Sequence, residues 1–277
     1  MSYGDRRIRR ACCGLLLGGL IATACTAGGD DGKRPDGGAG GSTTPSASAS
    51  ASASPTSAAP APAGYTFTPD PARTPKTRAD AKTFALAVVV GPDAWGPDYV
   101  EARPYLSAEG SWPVLPESCV WEAGTLPATV LYSVTTHSEM PAAHGKGRVR
   151  VTATVTVHRT ADDADWEMSQ TLEEALRCPG QTLREGQRIT GLMSIGDPGD
   201  TGNNFAHDSI NERGKFVDDT VKGEQFYGWT QARVGQVTVA VSSRGGAGQE
   251  DADLATSMAK ASVTMISRIE ARLEATS

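Results

Sequence analysis

Ser257 and Lys260 stand three residues apart in Ser257-Met258-Ala259-Lys260. On a helix this spacing sets a hydroxyl one turn from an amine that can take its proton, the S-x-x-K arrangement of a serine nucleophile. That chemistry also needs S-x-N and K-T-G segments further along, and only 17 residues follow Lys260. A chance match is the expectation, so no catalytic residue is assigned. The four histidines, His137, His144, His158 and His207, show no HExxH and no pair at helical spacing. His137 and His158 become neighbours if their segments pair as strands; otherwise they read as solvated strand-end imidazoles. Asp197, Asp200, Asn203 and Asn204 offer oxygen ligands, but Gly199 and Thr201 break the alternation of a calcium loop, leaving an acid-rich turn. No metal site and no cofactor are therefore expected. There is no GxSxG either, since Leu192 sits two before Ser194, and no phosphate-binding glycine pattern.

Cysteine chemistry is more informative. Of five cysteines, Cys12, Cys13 and Cys25 fall near the N-terminus, leaving Cys119 and Cys178. Neither has a CxxC neighbour or a histidine within ten residues. A disulfide is favoured over a metal pair or a reactive thiol if the chain is exported. Closing a loop of roughly 60 residues stabilises by about 4 kcal/mol at most. The tryptophans, at 95, 112, 121, 166 and 229, either pack in a core or line a groove for a ligand, and core packing is the expectation.

The elements that must position these residues occupy the last three quarters of the 277-residue chain. Residues 1–24 carry Arg6, Arg7, Arg9 and Arg10, then a fourteen-residue apolar or small run, ACCGLLLGGLIATA. A basic start, a short apolar run and small residues before a cut site make an export signal too short to span a bilayer. Ile21-Ala22-Thr23-Ala24 before Cys25 resembles a bacterial lipoprotein signal, with Ala22 where leucine is commoner. The resemblance implies that Cys25 is lipidated and becomes the mature N-terminus. It implies a protein held at the cell membrane, on the extracytoplasmic face, through a lipid anchor.

Residues 25–64 follow as a tether. In 26–64, 34 of 39 residues are Gly, Ala, Ser, Thr or Pro, with no large apolar side chain. Such a stretch cannot bury enough surface to offset its ordering entropy. As a Gly-rich coil it would span about 31–37 Å. Residues 65–277 make one domain with enough apolar content for a core. The first 64 residues hold 6 of the 26 basic and 4 of the 32 acidic residues, leaving the domain 20 against 28. A net charge of −8 lacks the basic footprint of a nucleic-acid partner.

Within the domain, RVRVTATVTVH (148–158) is the clearest strand. Val149, Val151, Ala153, Val155 and Val157 share one face; Arg148, Arg150, Thr152, Thr154, Thr156 and His158 share the other. TVLYSVTTH (129–137) and RITGLMSI (188–195) also read as strands. QFYGWTQAR and QVTVAVSS form a hairpin around Val234-Gly235, where a longer loop or a type II turn suits valine. Helices are expected over DAKTFALAVVV behind an Asp80 cap, and over DDADWEMSQTLEEALR (162–177) behind a Thr160–Asp163 capping box. A third is expected near the C-terminus, with Leu254, Met258, Ala261, Met265, Ile269 and Leu273 on one face. The fold class predicted is α+β: an antiparallel sheet with two or three helices packed on one face.

With CVWEAGTLP (119–127) and LEEALRCPG (172–180) set behind a lipidated cysteine and a Ser/Ala/Pro-rich tether, the layout resembles actinobacterial lipoproteins with a PknH-like extracellular sensor domain. Members of that group usually carry two disulfides, whereas this domain has cysteines for one. The resemblance implies a non-catalytic domain that binds a small molecule or cell-envelope component in a cleft. The alternative is a protein-interaction module assisting an envelope complex, which would show a large exposed apolar patch and no deep pocket.

Overall fold

The computed structural model describes residues 64–198 and 203–275. The signal segment and Cys25 lie outside the described residues, as does nearly all of the tether. The described chain is built on ten strands: β1 (Val100–Leu106), β2 (Ser111–Val114), β3 (Glu122–Thr125), β4 (Val130–Met140), β5 (Val149–His158), β6 (Gln181–Arg184), β7 (Gln187–Pro198), β8 (Asp208–Asp218), β9 (Gln225–Val234) and β10 (Val237–Gly245). Three helices accompany them: α1 (Arg78–Val88), α2 (Ala161–Arg177) and α3 (Asp251–Leu273). Eight strands form one curled antiparallel sheet in the order β1-β4-β5-β10-β9-β8-β7-β6, and β2-β3 is a separate hairpin.

The 2-residue period of β5 sets the layers. Its valines and Ala153 are all within 1% of full burial. They pack with Val134 of β4 and Val237, Val239 and Val241 of β10 under α1 and α3. Every residue of the expected α3 stripe, Leu254 to Leu273, is buried there. α1 is capped by Thr77, whose hydroxyl accepts from the Asp80 amide, so Asp80 is the acidic partner of a capping box and not the cap. The Thr160–Asp163 box opens α2 in the same way.

α2 overturns the expected layering. It packs on the opposite face of the sheet, over β7, β8 and β9. Beneath it Ala175, Ile189, Leu192, Phe216 and Tyr227 make a second, smaller core. The helices are therefore split between two faces, and the sheet, not a helix-and-sheet balance, dominates the fold. The hydroxyl face of β5, which reads from its sequence as open to water, is covered as well. Gly196 of β7 helps to admit α2: a Cβ there would come within 3.2 Å of the Leu172 side chain. The β9–β10 hairpin turns on Gly235-Gln236 and not on Val234-Gly235, because Val234 still pairs with Val237. Gly235 supplies the positive φ, 58°, that a two-residue hairpin loop requires. Among the described residues no helix is long and apolar enough to cross a membrane.

Candidate functional site

Between β1 and β4 the chain takes a detour. It leaves β1 at one edge of the sheet and forms the β2-β3 hairpin. It also reaches β6 at the other edge, where the Thr182 amide donates to Cys119 O and the Trp121 amide donates to Thr182 O. Cys119 and Cys178 are joined there as a disulfide, with Cα atoms 5.5 Å apart. The Arg177 guanidinium donates to the carbonyls of Leu115 and Pro116, and Trp121 Nε1 donates to Gln181 Oε1 at 2.9 Å. Residues 107–127 thus arch across the concave face of the sheet, with their far end pinned to the C-terminal end of α2.

The arch, α2 and the sheet enclose a cleft of about 1010 Å³. Its floor is the face that the sequence marked as wet. Ser133 and Thr156 hydroxyls lie 2.9 Å apart across β4 and β5, Thr135 and Thr154 likewise, and Thr152 and Ser242 2.6 Å apart across β5 and β10. The same cross-strand register brings Thr238, Gln231 and Trp229 into the floor. The arch contributes Trp112 and Trp121, and α2 contributes Trp166, which is 66% exposed. Four of the five tryptophans therefore line the cleft, against the expectation of core packing; only Trp95 is buried in the core under α1 and α3. Tryptophan content alone could not separate these readings, since the arch has no strong hydrophobic period.

At one end His158, 1% exposed, holds Glu167 through Nε2 at 2.8 Å, and Thr238 donates to the same carboxylate oxygen at 2.6 Å. Glu174 on α2 and Glu212 on β8 lie further in, and burial pushes each up to about 7. Arg177 partly offsets the effect at Glu174, while the nearby Glu174 charge adds to it at Glu212. His137, Tyr227 and Arg244 line the cleft as well, with Tyr227 close enough to feel the charges of both Glu212 and Arg244. Burial lowers the pKa of His137, with the Arg244 charge adding to the effect. Burial also raises the Tyr227 phenol.

The histidines are dispersed. His137 pairs with Thr152 and His158 with Val130, six residues or about 20 Å apart along β5, so they share no site. Nor is His158 a solvated imidazole. His144 is exposed with a positive φ, and His207 stacks edge-on against Tyr65 and accepts from the Gly235 amide. Ser257 and exposed Lys260 sit on α3, across the sheet from the cleft. Asn203 is buried and spends its amide on Asp197 O, Ser209 and the amides of Phe205 and Ala206, building a turn. Asp200 is outside the described residues. Among the described residues no group of three or more His, Cys, Asp or Glu is placed to hold a metal ion.

No protein-family model matches the chain, and no curated protein matches it. Among solved structures, the extracellular domain of PknH from Mycobacterium tuberculosis aligns with 67% of this chain and 96% of its own length. The two are 15% identical with a TM-score of 0.47, a likeness too slight to carry family or function.

Proposed function

We propose that the domain is a non-catalytic binding module held outside the cell membrane by lipid on Cys25, and that the cleft takes a small molecule or cell-envelope component. The observation that carries this reading is the enclosed volume with a hydroxyl floor and aromatic walls. A cavity of about 1010 Å³ is at the upper end of the range that engulfs small ligands. Polar groups fix orientation in such sites, and flat aromatic faces supply contact area at little entropic cost. Hydroxyl, amide and carboxyl groups above tryptophan faces suit a ligand with both polar and apolar surface. The reading assigns no bond-making chemistry, since the one nucleophile motif, Ser257 and Lys260, lies on the far side of the sheet.

The protein-interaction alternative has one observation of its own. Met193 and Ile195 of β7 are 70% and 69% exposed, on the face that α2 does not cover. Two residues make a small patch beside a large cleft, and the cleft is the stronger feature.

Thermal unfolding of the purified full chain in the presence of envelope fragments, nucleotides, lipids and divalent metals tests the reading. A ligand at 100 times its Kd adds about 2.7 kcal/mol, or several degrees in Tm. A shift confined to one chemical class supports the cleft as a binding site; silence across the panel sends the function to protein partners. The anchor is tested separately: Cys25→Ala should release the protein from the membrane fraction, and continued membrane retention would sink the lipid assignment.

A further inference from the structure

Resting on the cleft as a binding site, we propose that Arg244 is the docking point for an oxyanion of the ligand. The oxyanion is a carboxylate or phosphate ester carried by a body flat enough to lie against the cleft tryptophans.

Arg244 sits on β10 between Tyr227 of β9 and Arg150 of β5, and it lines the cleft. Its guanidinium carries five donors and no acceptor, and it stays charged even though burial lowers its pKa. Nε is sealed from solvent with no acceptor, and no carboxylate approaches the group within ion-pair distance among the described residues. Two other half-buried arginines are provided for: Arg233 is held by Asp208 and Asp165, and Arg177 by Glu173 and two carbonyls. Half-buried Arg150, beside Arg244 on β5, shares its lack of a carboxylate within ion-pair distance among the described residues.

The surroundings of Arg244 also carry its own sign of charge. Arg150 and Arg184 are close enough to oppose its protonation, and its charge in turn lowers the pKa of His137. Glu139 lies one strand beyond Arg150 and pairs with Arg148, and Glu212 lies beyond Tyr227, so neither of these carboxylates forms an ion pair with Arg244. Natural interiors pair a desolvated guanidinium with an anion. Here the free space that meets it is the cleft, so the matching anion arrives with the ligand. Ser242, two residues along the same face of β10, also lines the cleft, and its hydroxyl, paired with Thr152, could serve a second oxygen.

The test uses three probes on one ring: 2-naphthoate, 2-naphthyl phosphate and neutral 2-naphthamide, each titrated calorimetrically into the full chain at low salt. At least one anion should bind about ten-fold or more tightly than the amide, the factor expected of a charge-assisted hydrogen bond. Which anion wins separates the carboxylate from the phosphate source. Arg244→Gln should bring the preferred anion down to the amide's affinity without changing the amide, and Arg244→Lys should restore part of the preference. The wild-type comparison stands even if a variant does not fold. Equal affinities for all three probes overturn the anion assignment and leave the cleft as a site for neutral molecules. A preference that survives Arg244→Gln overturns the residue. If none of the three binds, the assignment falls, and the thermal panel above judges the cleft independently.

Discussion

The two faces of β5 are made by alternate residues of one strand, and both are covered, yet only one is dry. On the convex side, valines meet α1 and α3, and the few polar side chains among them, Thr136, Ser138 and Ser243, are buried too. On the concave side, Thr152, Thr154 and Thr156 lie beneath the cleft, and their hydroxyls contact one another's neighbours sideways along the sheet. A hydroxyl has one donor and two acceptor sites, so a ladder of them can be satisfied internally and still present acceptors upward. The convex face is optimised for holding the chain together; the concave face keeps capacity that folding does not use. Covering a sheet face and drying it are separate design choices.

The sharpest way to break this contrast is to truncate the dry side. Ile269→Ala on α3, fully buried among the valines, should cost about 2–5 kcal/mol in urea unfolding. A cost below about 1 kcal/mol would mean that the convex core is not what holds the fold. The pinned arch comes next. Cys119→Ser with Cys178→Ser should cost at most about 4 kcal/mol for a loop with a sequence separation of 59. Hydrogen exchange should rise through 107–127 while the amides of α3 stay protected; uniform loss of protection would show that the arch is part of the core.

Charge separates the faces more gently. Glu174 and Glu212 ionise at about 7 in the folded chain against an ordinary 4.5, so the neutral form is the one that the fold favours. Their contribution is full below pH 4.5 and is lost as pH rises to about 7. Tm should fall by several degrees from pH 5 to pH 8, and Glu212→Gln should flatten the profile. A Tm that is flat in the wild type over this window would remove the claim. The smallest effect is expected from Thr154→Val in the floor, which removes the hydroxyl paired with Thr135 and should move stability by about 1 kcal/mol while altering ligand affinity. A larger loss would show that the hydroxyl ladder is structural.

What the sequence made legible was whatever is encoded locally. The period of β5, the stripe of α3 and the Thr160–Asp163 box each rest on residues within one element, and the structure places them as read. β8, DSINERGKFVD, alternates weakly because Glu212 and Gly214 fall on its covered face, so it gave no strand signal. The position of α2 and the role of the tryptophans depend on which face of the sheet the chain crosses, a tertiary fact with no local signature. The cleft was therefore invisible, although Thr152, Thr154 and Thr156, the β5 residues of its floor, fall on the side of the strand that the sequence pattern gives them. Arg244 was invisible for the same reason: its significance lies in what does not surround it.

The strand order has a further consequence. β6 to β10 form an unbroken up-and-down meander, and β1, β4 and β5 form a second group; one long-range pairing, β5 with β10, zips them together. The cleft floor straddles that seam, with Thr152 on one bank and Ser242 on the other. Cys119 and Cys178 staple the same two groups from above. The β6–β10 meander and the β4–β5 pair can form from contacts between sequence neighbours, but the seam must close a loop of some 80 residues, the slow kind of step in β folding. The floor belongs to neither group alone, so a chain with both groups formed and the seam still open has no binding surface. Cleft occupancy would then report that the last join has been made.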